Sequence, residues 1–582
     1  MGYKIVLRDA YKGYTLDQDK LLTPEETVNR FKKKLKEVDL DILERTIRID
    51  QGRLDIPVYF SVCGSDARKV IGTKKQMGKG GTPQQAEASA VMELAERFSF
   101  FSFCKNEGNF FVGTYDRVKD KALPFEKIAK SVHDNSSDIE IAEKVFSSVP
   151  LKWTWGYNLT AQEPVLIPFD WFYAINEFNG PSAGNCVEEA ILQGICEVVE
   201  RHVSSLVSRN RLAVAGIDLS SCTSGVARDL IGKYEKAGIR LFANDFTLDT
   251  GIPSVSVLAY DPSTFPERSE IVWTAGTTPS PEKALIRALT EVAQLAGDFD
   301  TVSKYVASGL PKLQSLEEAG FVTHPRQTVN INDLSDLSNE NIRVEIENCV
   351  NALSRIELEV IEIDVTHPLL GIPSFYTIIP GAHFRERAAG TSVGMFSAKL
   401  VAESSDKHWA ISRLKWMKTL MPKRYYIYFY LGLCHMSICE YREAVTYFEE
   451  SLALEPTKED VATIYSYMGV ALKEMGEFKK ALKALEEAEH ADSSRTDVYN
   501  LMGFCYFMLK EHEKAISCFH KVLELDPTSA IDYANIGSNY RELGRMEEAI
   551  QYYQLALELD PTIEFARANL QKLINQAKDD RP

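Results

Sequence analysis

The stretch NCVEEAILQGICEVVERH, residues 185–202, decides the fold of the first part of the chain. At 100° per residue, its polar side chains fall within an arc of about 80° on a helix, and its branched apolar side chains lie opposite. The polar members are Glu189, Gln193, Glu197 and Glu200, with Arg201 at the edge of the arc. Because a solvated helix face usually carries several lysines, this stripe of carboxylates and an amide indicates the wall of a polar cleft.

Two further segments repeat the pattern and predict two more walls of the same cleft. The polar stripe of GTPQQAEASAVMELAERFSFF, residues 81–101, consists of Ser89, Glu93, Glu96 and Arg97. The stripe of SPEKALIRALTEVAQLA, residues 280–296, consists of Arg287, Glu291 and Gln294. Taken singly, each segment also fits an ordinary surface helix with ion pairs four residues apart. Three such helices in one part of the chain favour the cleft.

The residue types in these stripes predict a site for magnesium and a nucleotide. Carboxylates that converge in a cleft raise one another's pKa unless a cation lies among them. Magnesium is the usual cation for oxygen ligands, and it commonly also binds substrate phosphates. Arginines beside such a cation would bind the phosphate oxygens.

A glycine-rich segment, GTKKQMGKGGT at residues 72–82, resembles a phosphate-binding P-loop without matching it. Five residues rather than four separate Gly72 from Gly78, and Gly80 stands where the motif needs Ser or Thr. We interpret residues 78–81 as a glycine turn that leads into the first polar helix, with Thr82 as its N-cap. A helix N-terminus behind such a turn can bind an anion, so Lys79 is a candidate to approach a phosphate or the substrate.

The last third of the chain repeats with a period near 34 residues. Four glycines, Gly432, Gly469, Gly503 and Gly537, are 37, 34 and 34 residues apart, and four alanines keep the same spacing. This pattern resembles the tetratricopeptide repeat, in which small residues let two antiparallel helices cross closely. A stacked array of such pairs presents a groove to a peptide or partner protein. The alternative is an array that only covers or dimerises the first part of the chain.

The rest of the chain alternates helical and strand-like periods, which predicts an α+β domain. Helical periodicity is clear in EETVNRFKKKLKEV, and strand-like runs include VPLKWTWGYNL, PVLIPFDWFYA and IPSVSVLAYD. We therefore predict an α+β domain over residues 1–405, a joining helix over 406–424 and an all-α solenoid of about four repeats over 425–577.

The quoted motifs resemble those of the YcaO family. SAVMELAERF resembles the family's S-x-x-x-E-x-x-E-R motif, and residues 185–201 resemble its N-x-x-x-E-x-x-x-Q-x-x-x-E-x-x-E-R helix. RALTEVAQ is similar to the third motif, and DKLLTPEETVNRF resembles the N-terminal segment, which adds Lys20 and Thr27. The resemblance covers about residues 1–400. It implies a YcaO-like domain that binds ATP and Mg²⁺ in the cleft between these helices.

The resemblance also implies a role for each matching residue. Glutamates expected at the metal ions are Glu93, Glu96, Glu189, Glu197 and Glu200, of which Glu93 and Glu197 are also the expected catalytic residues. Residues expected at the nucleotide or its phosphates are Lys20, Thr27, Ser89, Arg97, Asn185, Gln193, Arg201, Arg287 and Glu291. Gln193 is expected near the metal ions as well.

Family members suggest three functions for the chain. The favoured one is an enzyme that phosphorylates a backbone amide of a peptide or protein, for thioamidation or a related sulfur-dependent modification. Its partners would be a sulfur donor or a TfuA-like protein, with the repeats docking a partner or the substrate. The first alternative is a non-catalytic accessory to β-methylthiolation of ribosomal protein S12, with a methylthiotransferase as partner. The second, an azoline-forming cyclodehydratase, is disfavoured because the sequence ends in NQAKDDRP rather than P-x-P-x-P.

A ligase resembling glutamine synthetase would also bind ATP through carboxylates, but no separate feature of the sequence indicates free amino-acid substrates. The resemblance also allows a homodimer.

Composition narrows the remaining classes. The net charge of -17 argues against direct nucleic-acid binding, which needs a basic surface. Ten cysteines without a C-x-x-C pair suggest a reducing compartment rather than a zinc or disulfide protein. No signal peptide and no run of apolar residues long enough for a membrane span is evident, so we expect a cytoplasmic protein without membrane contact.

Overall fold

The computed structural model describes residues 4–73, 75–299, 305, 307, 309–384, 391–526 and 528–579. The chain divides into two compact units, Met1–Val393 and Gly394–Pro582. The first mixes sheets and helices and the second is helical, which confirms the predicted fold class. The division falls at Val393, whereas the sequence predicted residue 405. The predicted joining helix, observed at Lys407–Leu420, belongs to the second unit and packs on its next helix.

Helices and strands alternate through much of the first unit, and helices follow one another through the second. The helices up to residue 403 are α1 (Pro24–Val38), α2 (Ser65–Ile71), α3 (Pro83–Lys105), α4 (Tyr115–Val118), α5 (Phe125–Ser131), α6 (Ile139–Phe146), α7 (Phe169–Asn176), α8 (Val187–Asn210), α9 (Gly225–Lys236), α10 (Pro281–Ala296), α11 (Gly320–Thr323), α12 (Ile342–Ser354) and α13 (Val393–Glu403). The later helices are α14 (Lys407–Leu420), α15 (Tyr425–Ser437), α16 (Tyr441–Leu452), α17 (Lys458–Glu474), α18 (Phe478–Ala491), α19 (Thr496–Met508), α20 (His512–Leu525), α21 (Ala530–Glu542), α22 (Met546–Leu559) and α23 (Glu564–Asp579). The strands are β1 (Leu43–Arg48), β2 (Val58–Cys63), β3 (Lys75–Lys79), β4 (Phe111–Gly113), β5 (Leu151–Asn158), β6 (Glu163–Pro168), β7 (Pro181–Ala183), β8 (Gly216–Asp218), β9 (Arg240–Asp245), β10 (Ser254–Tyr260), β11 (Val272–Thr277), β12 (Thr328–Asn330), β13 (Ile361–Asp364) and β14 (Ser374–Ile378).

Three sheets support the first unit. Strands β1, β2 and β3 form an antiparallel sheet, with Phe60 opposite Met77. A second sheet has the order β11-β10-β9-β8-β12, in which only β8 and β12 run parallel. A third has the order β4-β5-β13-β14-β7, and β6 pairs with β5. The polar helices each pack on one or more sheets: α3 on β2 and β3, α8 on β7, β11 and β14, and α10 on β10 and β11.

The apolar faces of these three helices form the core, as their periodicity predicted. Side chains that are at most 4% exposed include Val91, Ala95 and Phe98 on α3, Ile191, Ile195, Val198 and Val199 on α8, and Leu285, Ile286, Leu289 and Ala293 on α10. Burial of each large aliphatic side chain contributes about 1.5–3 kcal/mol relative to exposure. The apolar faces therefore fix how the polar faces are oriented.

One predicted strand is wrong in its second half. The run PVLIPFDWFYA was expected to continue as a strand, but helix α7 begins at Phe169. Phe169, Trp171, Phe172 and Ile175 are all at most 4% exposed, at spacings that a helix brings to one side. The packing of these rings favours the helix over the high strand propensity of aromatic residues.

The glycine-rich segment also differs from its interpretation. Gly78 and Lys79 belong to strand β3, so the turn is limited to Gly80 and Gly81. A Cβ atom on Gly78 would lie 2.0 Å from the backbone nitrogen of Ala90, so only glycine lets β3 pack this closely on α3. The predicted N-cap is confirmed, because Thr82 Oγ1 accepts a hydrogen bond from the backbone nitrogen of Gln85 at 3.2 Å.

The repeats form paired helices in the second unit: α15 with α16, α17 with α18, α19 with α20 and α21 with α22. The repeat glycines lie where the helices of each pair cross. A Cβ atom on Gly432 would lie 2.4 Å from the ring of Phe448, and one on Gly503 would lie 2.6 Å from the ring of Phe519. Each of these rings occupies the space that the glycine leaves, so the two helices of the pair can cross closely.

A buried carboxyl group between β13 and β14 yields a prediction about stability. Glu362 is 0% exposed, and its two oxygens share the single hydroxyl donor of Thr377, with Oγ1 at 2.8 and 3.0 Å. Burial raises the pKa of Glu362 well above its usual value. The unfolded chain therefore releases this proton at lower pH than the folded chain, so stability is lost as pH rises above the ordinary glutamate pKa.

We expect Glu362→Gln to become more stable than the native chain as pH increases. The glutamine keeps the shape of the protonated acid and does not titrate, so the gain grows by at most about 1.4 kcal/mol per pH unit. Urea unfolding between about pH 5 and pH 9 measures it. The exposed Glu163→Gln is the control, and an identical pH dependence in the native chain and Glu362→Gln would contradict the prediction.

Candidate functional site

The polar faces of α3, α8 and α10 line one cavity of about 350 Å³. The segment before α1, the start of α1, strand β3 and the stretch from the end of β7 to α8 complete its walls. This volume lies within the range of about 300–1,000 Å³ that small-molecule sites usually occupy. The charged lining consists of five glutamates (Glu93, Glu96, Glu189, Glu197 and Glu291) and five cations (Lys20, Lys79, Arg97, Arg201 and Arg287).

The structure brings together thirteen of the fourteen residues that the sequence predicted for the site. The thirteen that line the cavity are Lys20, Thr27, Ser89, Glu93, Glu96, Arg97, Asn185, Glu189, Gln193, Glu197, Arg201, Arg287 and Glu291. The other residue, Glu200, lies behind the wall. Their individual roles stay predictions.

Glu200 contacts two arginines of the site from behind the cavity wall, and its expected role at the metal ions stays a prediction. It is 1% exposed, and Arg287 Nε donates to its Oε2 at 3.1 Å. The backbone nitrogen of Thr277 donates to the same oxygen at 3.2 Å, and Arg201 lies 3.6 Å from the other oxygen. Burial raises the pKa of Glu200, and the positive charges of Arg287 and Arg201 oppose this increase. The buried carboxylate thus holds both guanidinium groups at the cavity wall.

Hydrogen bonds connect the segment before α1 and the first turn of α1 to the start of α8. Glu189 accepts hydrogen bonds from the backbone nitrogen of Leu21 at 3.0 Å and of Asn185 at 3.3 Å. Asn185 Nδ2 also donates to Thr27 Oγ1 at 3.0 Å. Lys20 Nζ lies 3.7 Å from Glu189, so this carboxylate already has several partners. Its position in the first turn of α8 favours negative charge.

Arg201 has hydrogen-bonding capacity to spare. Its guanidinium lies 3.6 Å from both Glu197 and Glu200, and the buried Nε has no hydrogen-bond partner in the described part of the chain. An arginine held by carboxylates on one side and facing a cavity on the other can bind phosphate oxygens with its planar donors.

The remaining carboxylates fit a magnesium ion that phosphate would help to bind. Burial and the neighbouring Glu197 raise the pKa of Glu93 and of Glu96, although Arg97 partly opposes both shifts. A cation among these oxygens would relieve the repulsion. Within the described residues, no three His, Cys, Asp or Glu side chains are close enough to hold a metal ion by themselves. Magnesium usually takes one or two carboxylates and completes its shell with phosphate and water.

Lys79 lines the cavity and was anticipated only as a candidate. Its Nζ donates to Glu291 Oε2 at 2.5 Å. Burial alone would raise the pKa of Glu291, but Lys79 and Arg201 outweigh burial and hold it at about 2. Gln18 also lines the cavity, and no motif in the sequence indicated it. The position of Lys79 between two glycines was the feature of the sequence that indicated its place at the cavity.

We expect Lys79→Met to weaken binding of a non-hydrolysable ATP analogue about tenfold, which corresponds to one charge-assisted hydrogen bond. Titration calorimetry in the presence of Mg²⁺ measures the dissociation constant. The matched control is Lys75→Met on the same strand, since Lys75 is exposed and lies over the ring of Phe60 at 4.0 Å. Equal affinities in both variants would contradict the prediction.

Among the described residues that line the cavity there is no thiol and no imidazole group. Cys186 caps α8, accepting a hydrogen bond from the backbone nitrogen of Glu189 at 3.4 Å, and burial raises its pKa to about 12. Burial likewise raises the pKa of Cys196 to about 12. His202 points away from the cleft, where its Nδ1 accepts a hydrogen bond from the backbone nitrogen of His383 at 3.0 Å. None of the three shows the activation that a nucleophile or base would need.

Comparison with known proteins identifies the family to which this cleft belongs. The model of the YcaO cyclodehydratase family, described as binding ATP and Mg²⁺, matches residues 77–383, which is more than half of the chain. The chain belongs to the YcaO family. The cofactors predicted from the sequence, ATP and Mg²⁺, are those of the family description. The tetratricopeptide-repeat model matches residues 425–491 and 494–562.

Three relatives share the YcaO region. An uncharacterized protein of Methanothermobacter thermautotrophicus is 29% identical over 62% of this chain and 93% of its own length. An uncharacterized protein in the tfuA 3′ region of Rhizobium leguminosarum bv. trifolii is 25% identical over 54% of this chain and 76% of its own. The ribosomal protein S12 methylthiotransferase accessory factor YcaO of Escherichia coli is 27% identical over 47% of this chain and 48% of its own.

A solved structure has the same fold. A heterocyclase in complex with substrate and cofactor superposes with a TM-score of 0.54 at 24% identity, over 66% of this chain and 55% of its own. At this level of identity the likeness concerns the fold alone. None of the helices in the described part of the chain combines the length and hydropathy of a membrane span. The predicted cytoplasmic location stays a prediction.

Proposed function

We propose that this YcaO protein uses ATP and Mg²⁺ to phosphorylate a backbone amide oxygen of a peptide or protein, and that sulfide then replaces this oxygen to give a thioamide. The observation that carries the proposal is the charge pattern of the cavity, five glutamates against five cations. Among its described lining residues there is no cysteine or histidine. Such a site suits phosphoryl transfer, in which the protein chiefly positions groups and stabilises charge.

The proposed reaction balances without an oxidant or reductant. The γ-phosphoryl group moves from ATP to the amide oxygen, ADP leaves, and an O-phosphorylated imidate forms. Hydrosulfide adds to the imidate carbon, and the carbon–oxygen bond then breaks. Inorganic phosphate leaves with the former amide oxygen, and the sulfur's proton passes to the amide nitrogen, which lost its own proton to solvent when the imidate formed. Mg²⁺ would neutralise phosphate charge beside Glu93, Glu96 and Glu197, while Arg97, Arg201 and Arg287 would bind phosphate oxygens.

Two relatives support different outcomes of this chemistry. The Rhizobium relative is named for its place beside tfuA, which favours sulfur transfer with a TfuA-like partner or another sulfur donor. The Escherichia coli relative is named as an S12 methylthiotransferase accessory factor, which supports the alternative of an ATP-binding accessory protein. The five glutamates and five cations of the cleft favour ATP chemistry over a pure scaffold, because a scaffold does not require them.

The repeats supply the proposed docking site for the partner or the protein substrate. Helices α17, α19 and α21 border a cavity of about 530 Å³ in the second unit. Its lining combines apolar and polar side chains, including Tyr467, Leu501, Ile531, Asn500 and Arg495. Such a surface can bind an extended peptide through side-chain pockets and hydrogen bonds. Formation of a homodimer stays a prediction.

The proposal is tested by incubating the full chain with a synthetic peptide library, Mg–ATP and sodium sulfide. We expect ADP release, and peptides whose mass grows by the difference between sulfur and oxygen. Loss of one water from a peptide would instead indicate azoline formation. ADP release no greater than that of Glu197→Ala would contradict the enzyme and favour the accessory role.

A further inference from the structure

A short loop between α7 and β7, residues 177–180, contacts side chains of two helices that line the cavity. The backbone oxygen of Phe178 accepts a hydrogen bond from Arg97 Nη1 of α3 at 3.2 Å. The backbone nitrogen of Gly180 donates to Glu197 Oε2 of α8 at 3.3 Å. One backbone segment therefore holds one arginine and one carboxylate of the site.

The conformation of this loop depends on its own turn residues. The backbone nitrogen of Glu177, whose φ is 45°, donates to the oxygen of Tyr173 at 2.8 Å. The backbone nitrogen of Asn179 donates to the oxygen of Asn176 at 2.9 Å. Gly180 has a φ of 98°, and a Cβ atom there would lie 2.4 Å from the backbone oxygen of Thr377. Only glycine can present its N–H to Glu197 at this position.

The end of the loop is anchored on β14. The backbone nitrogen of Thr377 donates to the oxygen of Gly180 at 2.9 Å, and its hydroxyl group is held by the buried Glu362. Helix α8 packs closely against both Thr377 and Gly180 at Gly194. A Cβ atom on Gly194 would lie 2.1 Å from Thr377 Oγ1 and 3.1 Å from the backbone oxygen of Gly180. Because Gly194 lies within one turn of Glu197, the anchor sets the distance between the helix and the loop.

We propose that residues 177–180, together with the Thr377–Glu362 pair that anchors them, position Arg97 and Glu197 for phosphoryl transfer. The inference rests on the proposed function. The N–H of Gly180 engages one oxygen of Glu197, and Arg201 lies 3.6 Å from the other. The orientation of the carboxylate is therefore fixed before a ligand binds. Fixed orientation is what electrostatic catalysis needs, since a displacement of about 1 Å can cost roughly 100-fold in rate.

The test compares Gly180→Ala with two substitutions of Thr377 in the full chain. We expect Gly180→Ala to lower kcat for ADP release about tenfold to 100-fold, while KM for ATP changes little because most lining residues are untouched. Thr377→Val removes the hydroxyl group at constant shape and should also lower kcat. Thr377→Ser restores the hydroxyl group and should recover most of that loss.

Gly238→Ala is the matched control for a methyl group at positive φ. Gly238 has a φ of 79° in the same unit, and nothing lies within 4 Å of the added atom. Thermal unfolding shows whether each variant is folded, and the Thr377 pair still decides the question if Gly180→Ala does not fold. A kcat in Gly180→Ala and Thr377→Val equal to that of Gly238→Ala would overturn the proposal.

A binding measurement separates this inference from the proposed function. If the native chain releases no ADP, the proposed function fails, and the Mg²⁺ dependence of binding a non-hydrolysable ATP analogue becomes the readout. Gly180→Ala should then need about tenfold more Mg²⁺ for half-maximal binding, because Glu197 is displaced. An unchanged Mg²⁺ requirement in Gly180→Ala would overturn the positioning role.

Discussion

Replacement of Glu197 with glutamine is expected to lower kcat for ADP release at least about 100-fold, the loss that follows removal of one preorganised electrostatic group. The amide keeps the size of the side chain but cannot neutralise a cation. Glu197 projects into the cavity beside Arg201 and raises the pKa of Glu96, so it belongs to the most strongly charged part of the lining. Steady-state ADP release over a range of Mg²⁺ concentrations measures the effect.

The same substitution should not destabilise the fold. Loss of the Glu197 charge relieves repulsion with Glu93 and Glu96, so the melting temperature should stay equal or rise. Glu87→Gln is the control on α3, because Glu87 pairs with Lys32 outside the cavity. A kcat in Glu197→Gln equal to that of Glu87→Gln would contradict the account. Lower activity with a lower melting temperature would show a structural role instead.

Substitution of Arg201 by lysine is expected to weaken ATP binding about tenfold to 100-fold, although the charge is retained. A lysine cannot reproduce the planar fork that binds two phosphate oxygens while also facing Glu197 and Glu200. Loss of one or two charge-assisted hydrogen bonds accounts for this range. Titration calorimetry with a non-hydrolysable ATP analogue and Mg²⁺ measures the dissociation constant.

Arg209→Lys is the control for this prediction on the same helix. Arg209 lies outside the cavity lining and donates to the backbone oxygen of Phe384 at 2.8 Å. We expect its substitution to leave nucleotide binding unchanged. An affinity in Arg201→Lys within twofold of the native chain would contradict the assignment of Arg201 to the phosphates.

The polar stripes were predictable because helical periodicity alone separates the two faces of α3, α8 and α10. The orientation of Glu200 was not, since its angle places it inside the stripe of α8. The backbone of Thr277 and the guanidinium of Arg287, from two other elements, engage its carboxylate behind the cavity wall. Such tertiary contacts leave no trace in the spacing of one helix.

Local sequence was also insufficient where packing decided the structure. Gly78 looked like part of a turn, yet it lies in β3. The absence of a side chain at this position lets the strand pack closely on α3. Phe169 and Trp171 looked like strand residues, yet their rings are buried from a helix. The burial of Glu362 could not be predicted, because the sequence does not distinguish a buried glutamate from an exposed one within a strand-like run.

The fate of the amide oxygen tests the central claim most directly. Peptides whose backbone carbonyls carry isotopically labelled oxygen would be incubated with the full chain, Mg–ATP and sulfide, and the released phosphate analysed by mass spectrometry. If the amide oxygen is phosphorylated, the label must appear in inorganic phosphate in proportion to the thioamide formed. Label that stays in the peptide while unlabelled phosphate accumulates would contradict amide activation by this cleft.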